Sequence, residues 1–596
     1  MEITEMINSK TAVKVLFVLL LILISLSGIL SRHLWKPDEP RVAEIGREMW
    51  LNRQFVLPTL NREPFLEKPP LYWWVMSASY ELFGVSDGSA RLPSALFGFL
   101  TLLFTYLIGK RVGGEKTGMF AALILATLTE FSIITHRCLV DNALIFFVTM
   151  GYYGFFAGYT ASTPRGKWMG YELMAVTSGL AFLSKGLVGP GLIVAPPLLV
   201  LLLYRDFKEL RRVLPMTGVG TLIFILIVTP WIIGLYQTGG WHSIREYLLQ
   251  NTLGRILPGA VNHYVGGHRH SFFYYFKKLP SDFLPWIAAL PAALAFLFHP
   301  PGNFEQPVKK GLATALLLFS GGFLLLSLPA TKRGLYLVPI YPMLAVVIGG
   351  WFAHACGPKR GEFTSLECWT LNGILGVFSL VPLALAVGAV MIVFTGLGPK
   401  DYQMTPVIRR LTPLLVLIVP LGLITFLFLA SRFLRSVKSR TAPSCAVIFA
   451  TVLLLLFTYH EGAVRVMDPV KSIRRFPDKI QPFLKGDPPL GGFHLSELTR
   501  GMIPFYTGKY ITLLDTPGDI KDFLRKHPGG LLVIPAREAE TLPADLRAHL
   551  TFLTGQDYSR RFKVRLYRLA QTPKNLPSIP PGPRAPKKAP KNGEET

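Results

Sequence analysis

Apolar runs long enough to cross a bilayer recur along the chain from Thr11 to Tyr459, and short polar connections separate them. A helix crosses the hydrocarbon core in about 20 residues. On that length the pattern predicts about thirteen transmembrane helices, near residues 12–30, 90–110, 117–135, 141–161, 168–186, 187–204, 213–236, 283–299, 312–329, 335–355, 370–395, 412–432 and 442–459. The predicted fold class is an α-helical polytopic membrane protein. Because no small-residue cleavage site follows the first run, we expect that run to be a retained anchor rather than a signal peptide.

The distribution of Lys and Arg among the short connections predicts the orientation of these helices. Connections rich in these residues alternate with connections poorer in them, and the rich ones lie at 110–116, 165–167, 205–212, 309–310, 359–360 and 435–440. Cytoplasmic loops carry an excess of Lys and Arg, so these connections are cytoplasmic if the chain starts in the cytoplasm. The long connections 31–89 and 237–282, and everything after Tyr459, are then expected on the outer face.

The composition changes after Tyr459. Residues 460–570 alternate short apolar runs ("LGGFHL", "YITLL", "GLLVI", "FKVRLYRL") with amphipathic stretches, which is typical of a small α/β domain. Residues 571–596 are rich in Pro and Lys and lack apolar periodicity, so we expect a disordered basic tail. The predicted domains are therefore a transmembrane domain at 1–459 that includes the two outer-face loops, an outer α/β domain at 460–570, and the tail.

Charge and cysteine content narrow the function classes. The chain has 62 Lys and Arg against 36 Asp and Glu, a formal net charge of +26, yet only 16% of its residues are charged and 51% are hydrophobic. In such a chain the excess fits cytoplasmic loops and anionic lipid head groups. No basic-aromatic module accompanies it, so we do not expect nucleic-acid binding. The four cysteines lie far apart without CxxC spacing, which indicates neither a disulfide framework nor a zinc site.

Ionisable residues gather in the connections predicted on the outer face. In "KPDEPRVAEIGREMW", Pro40 suits the first position of a helix, which makes Asp38 or Glu39 its natural N-cap. A catalytic acid is the alternative interpretation of Asp38. In "REPFLEKPPLYWW", two prolines hold Glu67 and Lys68 in an extended turn. Unmatched charges near hydrocarbon are costly, so this pair is a candidate to meet a cation and an anionic head group.

Further outer connections contribute residues of the same kind, namely His136, Arg137, Asp141, Lys185, His263, His268, Arg269, His270, Lys332, Arg333 and Tyr336. Each alone is explained as a snorkelling side chain or as an exception to the charge rule. Their coincidence on one face predicts a site for a membrane-embedded anion with an apolar tail. Glu67 with His268 forms an N/O set suited to zinc or another divalent cation, and a plain surface histidine cluster is the alternative.

Several strings of this sequence resemble a known family. They are "PDEPRVAEIGREM", "LPTLNREPFLEKPPLYWW", "ARLPSAL", "GLAFLSKG", "HRHSFFYY" and "GLYLVPIYP". They are similar to strings of the bacterial lipid A 4-amino-4-deoxy-L-arabinose transferase family. That family belongs with the dolichyl-phosphate-mannose protein mannosyltransferases among the GT-C type membrane glycosyltransferases. The resemblance spans essentially residues 10–570, and its first two strings are the most specific.

The resemblance implies roles for particular residues. Asp38 and Asp141 match the two acids for which the family implies catalytic roles. Contacts with the donor phosphate or the substrate are implied for a second set, to which Lys185 is added as an outer-face cation: Arg41, Lys68, Lys185, Arg269 and Tyr336.

The resemblance also implies a possible metal and marks a departure from the family. Glu67 and His268 match the ligands of a divalent cation, zinc or another, with His270 as the rival histidine; no other cofactor is expected. The family's usual first string is Asp-Glu-Gly-Arg-Tyr, whereas this chain carries Pro40 and Val42 in place of the glycine and the tyrosine. Any substrate contact made by that tyrosine is therefore missing here.

The function implied is sugar transfer from a polyprenyl (undecaprenyl) phosphate donor to an envelope acceptor, such as lipid A, another glycan or a protein. The family acts at the periplasmic face of the bacterial inner membrane, and a single displacement would invert the anomeric centre. Asp38 would either deprotonate an acceptor hydroxyl or, if the acceptor is an anionic phosphate, position the donor sugar. A transporter or flippase of lipid-linked sugars is the alternative function, and a catalytically silent scaffold is a third.

Overall fold

The computed structural model of the chain describes residues 2–248, 269–300, 305–355, 366–367, 369–370, 373–374, 441–559 and 562–569. The helix predicted at 412–432, most of the helix predicted at 370–395, and the tail at 571–596 lie outside these residues. His268 and His263 lie outside them as well.

Long helices make up the first part of the described chain. In order they are α1 (Glu2–Leu26), α2 (Glu39–Asn52), α3 (Leu71–Phe83), α4 (Asp87–Ala126), α5 (Thr129–Thr135), α6 (Asp141–Tyr159), α7 (Pro164–Lys185), α8 (Val188–Leu203) and α9 (Phe207–Arg245). Later helices before the α/β part are Tyr274–Asp282, Leu290–Phe298, Gln306–Ser327, Tyr341–Ala355, Thr441–Thr458 and Val464–Lys471, and a 3₁₀ turn covers Gly334–Ile340.

Within the described residues, five helices are long and apolar enough to span a membrane: Asp87–Ala126, Phe207–Leu248, Gln306–Ser327, Gly334–Ala355 and Ile448–Pro469. A sixth is added if the pair Tyr274–Asp282 and Trp286–Phe298, bent by 102°, forms one broken span. The predicted number of thirteen therefore stays a prediction. The predicted spans 90–110 and 117–135 both fall largely in helix α4. A kink at Gly113 and Gly114 breaks helix α4 between the two spans, and Gly114 has a φ of +86° that residues with a Cβ rarely adopt. The second span continues beyond the end of α4 at Ala126 into α5.

Helix α2 carries the first outer string and is buried on nearly all sides. Pro40 lies in its first turn, where a missing N–H leaves no intrahelical bond unmade. The N-cap hypothesis fails in its side-chain form: among the described residues, the Asp38 carboxylate makes no capping hydrogen bond to the helix. Within α2, burial raises the pKa of Glu44 to about 8, although Arg47 donates hydrogen bonds of 2.7 and 2.8 Å to it.

Residues beyond Leu490 form an α/β unit. Its five strands are β3 (Leu490–Phe493), β4 (Thr512–Leu514), β5 (Leu531–Pro535), β6 (Leu550–Asp557) and β7 (Lys563–Leu569), and a separate short hairpin pairs β1 (Thr59–Leu60) with β2 (Glu63–Pro64). The order of the sheet is β4-β3-β5-β7-β6, with β3 parallel to β4 and β5, and β7 antiparallel to β5 and β6. Its helices are Glu497–Thr507, Pro517–Lys526, Ala536–Thr541 and Ala544–Ala548, and Arg475–Ile480 precedes it.

The α/β unit packs directly on the outer-face loops of the helical part. Asn61 exchanges two hydrogen bonds with the backbone of Ile511, at 2.8 and 2.9 Å. The hydroxyl of Tyr506 donates to Asp87 at 2.5 Å. Helix Glu497–Thr507 lies against α2, so the end of the chain is brought to the first outer string.

Candidate active site

A cavity with about 560 Å³ of empty space, part of it open to solvent, lies between the ends of several helices. The start of α2, the turn before α3, the start of α6, the end of α7 and the 3₁₀ turn Gly334–Ile340 converge on it. Its walls are Asp38, Arg41, Val42, Phe65, Glu67, Lys68, Trp73, Leu139, Val140, Asp141, Lys185, Arg333, Leu335 and Tyr336. Acids and cations from five distant stretches of chain therefore share one small space.

The predicted site residues are mostly found together. Those that line the cavity are Asp38, Arg41, Glu67, Lys68, Asp141, Lys185 and Tyr336. In the part of the chain that the structure describes, Arg269 lies outside the cavity: its side chain is exposed, and its backbone bridges to Thr331. Its neighbour His270, the alternative to His268 as a metal ligand, stacks on Tyr274 with 4.0 Å between ring centroids.

Both oxygens of Asp38 accept hydrogen bonds from guanidinium groups. Oδ1 accepts from Arg41 at 2.8 Å, and Oδ2 accepts from Arg333 at 3.1 Å. Burial raises the pKa of Asp38, but the charges of Arg41 and Arg333 outweigh it and hold the pKa below its usual value. Asp38 is therefore ionised at neutral pH and is a weak proton acceptor, because a lowered pKa stabilises the charged form.

The second acid is paired as well. Asp141 opens α6, and the Lys185 ammonium at the end of α7 donates a short hydrogen bond to it. The same ammonium lies 4.1 Å from the centre of the Tyr336 ring, a cation–π arrangement. Lys185 is thus held between an acid and an aromatic ring at the cavity wall.

A rigid aromatic support underlies the first acid. Phe65 packs edge-on against Trp73 with 6.0 Å between ring centroids, and the Arg41 guanidinium lies 5.6 Å from the Phe65 ring. The Trp73 indole donates to the Val42 carbonyl at 3.1 Å. Helix α3 is thereby fixed to α2, which sets the position of Lys68 relative to Asp38.

A larger groove with about 840 Å³ of empty space adjoins the cavity. Most of its walls are apolar or aromatic, and it shares Glu67, Lys68, Lys185 and Tyr336 with the cavity. Its remaining walls are Pro69, Leu144, Leu187, Val188, Leu192, Tyr247, Tyr275, Leu326, Pro329 and Thr331. A charged compartment therefore continues into an apolar one, which matches an anion that carries a hydrocarbon chain.

Comparison with known proteins finds similarity to membrane glycosyltransferases. Residues 67–233 match the model described as dolichyl-phosphate-mannose-protein mannosyltransferase. The undecaprenyl phosphate-alpha-4-amino-4-deoxy-L-arabinose arabinosyl transferase of Pectobacterium atrosepticum is 27% identical over 391 residues, 65% of this chain and 67% of that protein. An uncharacterized protein of Aquifex aeolicus is 27% identical over 340 residues, 56% of this chain and 63% of that protein. The chain thus spans about two thirds or less of these relatives' length.

A solved structure has the same fold over nearly the whole chain. ArnT from Cupriavidus metallidurans, bound to undecaprenyl phosphate, superimposes with a TM-score of 0.72 at 21% identity, covering 95% of this chain and 100% of that one. The chain is similar to the ArnT-like GT-C family in sequence and shares its fold. The predicted resemblance is confirmed, and the protein is a multi-pass membrane protein with the helical fold of this family.

One cavity residue was not assigned by sequence reasoning. Arg333 was grouped with the outer cations, yet it contacts Asp38 across 295 positions of the chain. Its place three residues before Tyr336, in a string that resembles the family, was the available signal. Nothing in local periodicity relates it to Asp38.

The family resemblance also implies a metal on Glu67 and His268. Among the described residues, no group of three His, Cys, Asp or Glu side chains is arranged to hold a metal ion. Glu67 lines the cavity, and His268 lies outside the described residues. The described residues alone therefore supply no complete set of metal ligands.

Proposed function

We propose that this ArnT-like protein transfers a sugar from a polyprenyl (undecaprenyl) phosphate donor to an anionic envelope acceptor such as lipid A. The observation that carries the proposal is the continuity of the charged cavity with the apolar groove through four shared residues. A lipid-linked phosphate needs both compartments side by side. The names of the arabinosyl transferases that align with the chain support the same donor and reaction.

The state of Asp38 supports an acceptor that is already charged. A general base works best with a pKa near the working pH, whereas the pKa of Asp38 is lowered and both of its oxygens accept from arginines. An acceptor phosphate needs no deprotonation. We therefore assign Asp38 to positioning the donor sugar through polar contacts, with Asp141, which lines the same cavity, as the second catalytic acid.

The reaction is a single displacement. The acceptor oxygen forms a bond to the anomeric carbon while the bond from that carbon to the donor phosphate oxygen breaks, so the configuration inverts. Negative charge grows on the leaving polyprenyl phosphate, and fixed cations aimed at it lower the barrier. We assign this role to Lys68, Lys185 and Arg41, with Tyr336 against the donor. For Arg269, whose backbone bridges to the groove residue Thr331, we propose a contact with the donor phosphate.

The surrounding assignments follow from the same proposal. We propose about thirteen crossings, a transmembrane domain at 1–459, and an α/β domain at 460–570 in the periplasm, with the tail at 571–596. The cavity then faces the periplasmic side of the bacterial inner membrane. We propose that Glu67 and His268 would hold a divalent cation. Loss of activity on chelation and its return on adding metal test this.

The test is transfer by the purified protein in lipid nanodiscs supplied with undecaprenyl phosphate linked to a labelled sugar and with lipid A. Wild-type protein is expected to label the acceptor, and Asp38→Asn is expected to fold normally and lose transfer. Full activity of Asp38→Asn overturns the assignment of Asp38. In proteoliposomes, movement of the labelled lipid across the bilayer without transfer would instead identify a flippase.

A further inference from the structure

In the part of the chain that the structure describes, the side chain of Glu497 connects the α/β unit to a cavity residue. Glu497, the first residue of helix Glu497–Thr507, accepts a short hydrogen bond from Nη1 of Arg41. Nη2 of the same guanidinium donates to Asp38 at 2.8 Å. Arg41 therefore bridges a carboxylate of the cavity and a carboxylate of the α/β unit.

The contact is set by close packing rather than by two mobile surface chains. The side chains of Arg41 and Glu497 are 21% and 17% exposed. Helix Glu497–Thr507 approaches so closely that a Cβ on Gly501 would lie 2.8 Å from the backbone N and Cα of Arg41. Ser496 caps the helix by accepting from the Thr499 N–H, so Glu497 projects from a fixed end.

Other contacts already hold the α/β unit on the helical part. Asn61 bonds to Ile511, Tyr506 bonds to Asp87, and Arg500 donates to the Leu60 carbonyl at 3.1 Å. Their helical-part partners Asn61, Asp87 and Leu60 do not line the cavity in the described chain. The Glu497 contact differs because it ends on a side chain that contacts the first acid.

The charges of the cavity give Glu497 a second effect. The walls carry four cations, Arg41, Lys68, Lys185 and Arg333, against three acids, Asp38, Glu67 and Asp141. The carboxylate of Glu497 compensates the remaining positive charge from just outside. Without it, a leaving lipid phosphate would be held more tightly.

We infer that Glu497 is a positioning residue that orients Arg41 on Asp38, so that the C-terminal α/β unit completes the active site. This inference rests on the proposed sugar transfer at the cavity. In the described chain Glu497 does not line the cavity; its effect on kcat passes through Arg41, and its charge affects how tightly the leaving phosphate is held.

The experiment compares Glu497→Gln and Glu497→Asp in the full chain in nanodiscs. A matched control is Glu538→Gln, which removes a carboxylate of the same unit that pairs with His494 at 2.8 Å. Glu497→Gln is expected to lower kcat about tenfold or more, since a charge-assisted hydrogen bond is lost. The donor KM is not expected to rise, and undecaprenyl phosphate is expected to inhibit roughly three- to tenfold more tightly, because the cavity has gained positive charge. Glu497→Asp restores part of kcat, and Glu538→Gln matches wild type.

A double-mutant cycle separates positioning from attachment of the unit. In an Arg41→Gln background, Glu497→Gln is expected to cause no further loss of kcat, because its effect passes through Arg41. An equal loss in both backgrounds, or unchanged product inhibition, overturns the inference. The same double-mutant cycle, measured by thermal unfolding, gives the coupling between Arg41 and Glu497 without an activity assay. If wild-type protein transfers no sugar while that cycle shows coupling, the proposed function fails and the Arg41–Glu497 contact stands.

Discussion

Replacing Glu39 by Gln tests the buried ionic cluster next to Asp38. The Glu39 carboxylate accepts from Arg32 at 2.9 Å, from Arg91 at 3.0 Å, and from the backbone N–H groups of Trp35 at 2.8 Å and Cys138 at 3.0 Å. The exposed fraction of its side chain is 2%, and that of Arg91 is 0%. One carboxylate thus connects α2, α4, the loop after α1 and the loop before α6.

The expected loss follows from the charges left behind. Gln keeps the shape of Glu39 and one acceptor oxygen, but it leaves the guanidinium groups of Arg32 and Arg91 buried without a counter-charge. Removing one partner of a buried pair destabilises a protein by about 3–5 kcal/mol. We expect Glu39→Gln to lose about 3 kcal/mol or more of unfolding free energy and to lose transfer, because Asp38 is the preceding residue.

The assay is unfolding of the protein in detergent, monitored by tryptophan fluorescence. The control is Glu81→Gln, which breaks an exposed pair with Arg53 at 2.8 Å and is expected to unfold like wild type. The double variant Glu39→Gln/Arg91→Gln should lose less than the sum of its single variants, because it removes one of the stranded charges. The reasoning would be refuted if Glu39→Gln had the unfolding free energy of the wild type, or if the effects of the two substitutions were strictly additive in the double variant.

Further predictions concern pH and packing. Arg333→Gln should raise the pKa of Asp38 toward its usual value, because it removes one compensating positive charge. The acidic limb of the pH–rate profile should therefore move to higher pH. An acidic limb at the wild-type pH contradicts the role of Arg333. Because the pKa of Glu44 is raised to about 8 in the folded protein, its contribution to stability is complete below about pH 4.5 and is lost as the pH rises through about 8. Glu44→Gln should therefore flatten the fall of melting temperature over that pH range. An unchanged slope would show that another group titrates. Gly501→Leu should push its helix away from Arg41 and lower kcat in the same direction as loss of the Glu497 contact, measured by sugar transfer; wild-type turnover would argue against close packing there.

The assembly of the first outer strings was predictable because it depends on topology. Asp38, Lys68, Asp141 and Lys185 lie at helix ends that the Lys and Arg pattern assigns to one face, and these ends meet around one cavity. Their pairing was not predictable. Which cation meets which acid depends on how helices pack, and the alternation of apolar residues contains no such information.

The capping hypothesis for Glu39 shows the limit of local reasoning. An acid before Pro40 suits an N-cap by sequence, but two arginines from α4 and the preceding loop bind the carboxylate of Glu39 instead. Tertiary charges therefore override the local preference. Arg269 shows the same limit, because a position in an outer loop does not determine how near the loop comes to the cavity.

The wall shared by the cavity and the groove determines how two substrates are accommodated at once. Lys185 and Tyr336 border both spaces, so the proposed lipid-linked donor, with its tail in the groove, would present its head group to the cavity from the side. The solvent-facing mouth then stays free for the second substrate. Under the proposed function, donor and acceptor would approach along different routes, and neither would have to leave before the other arrives.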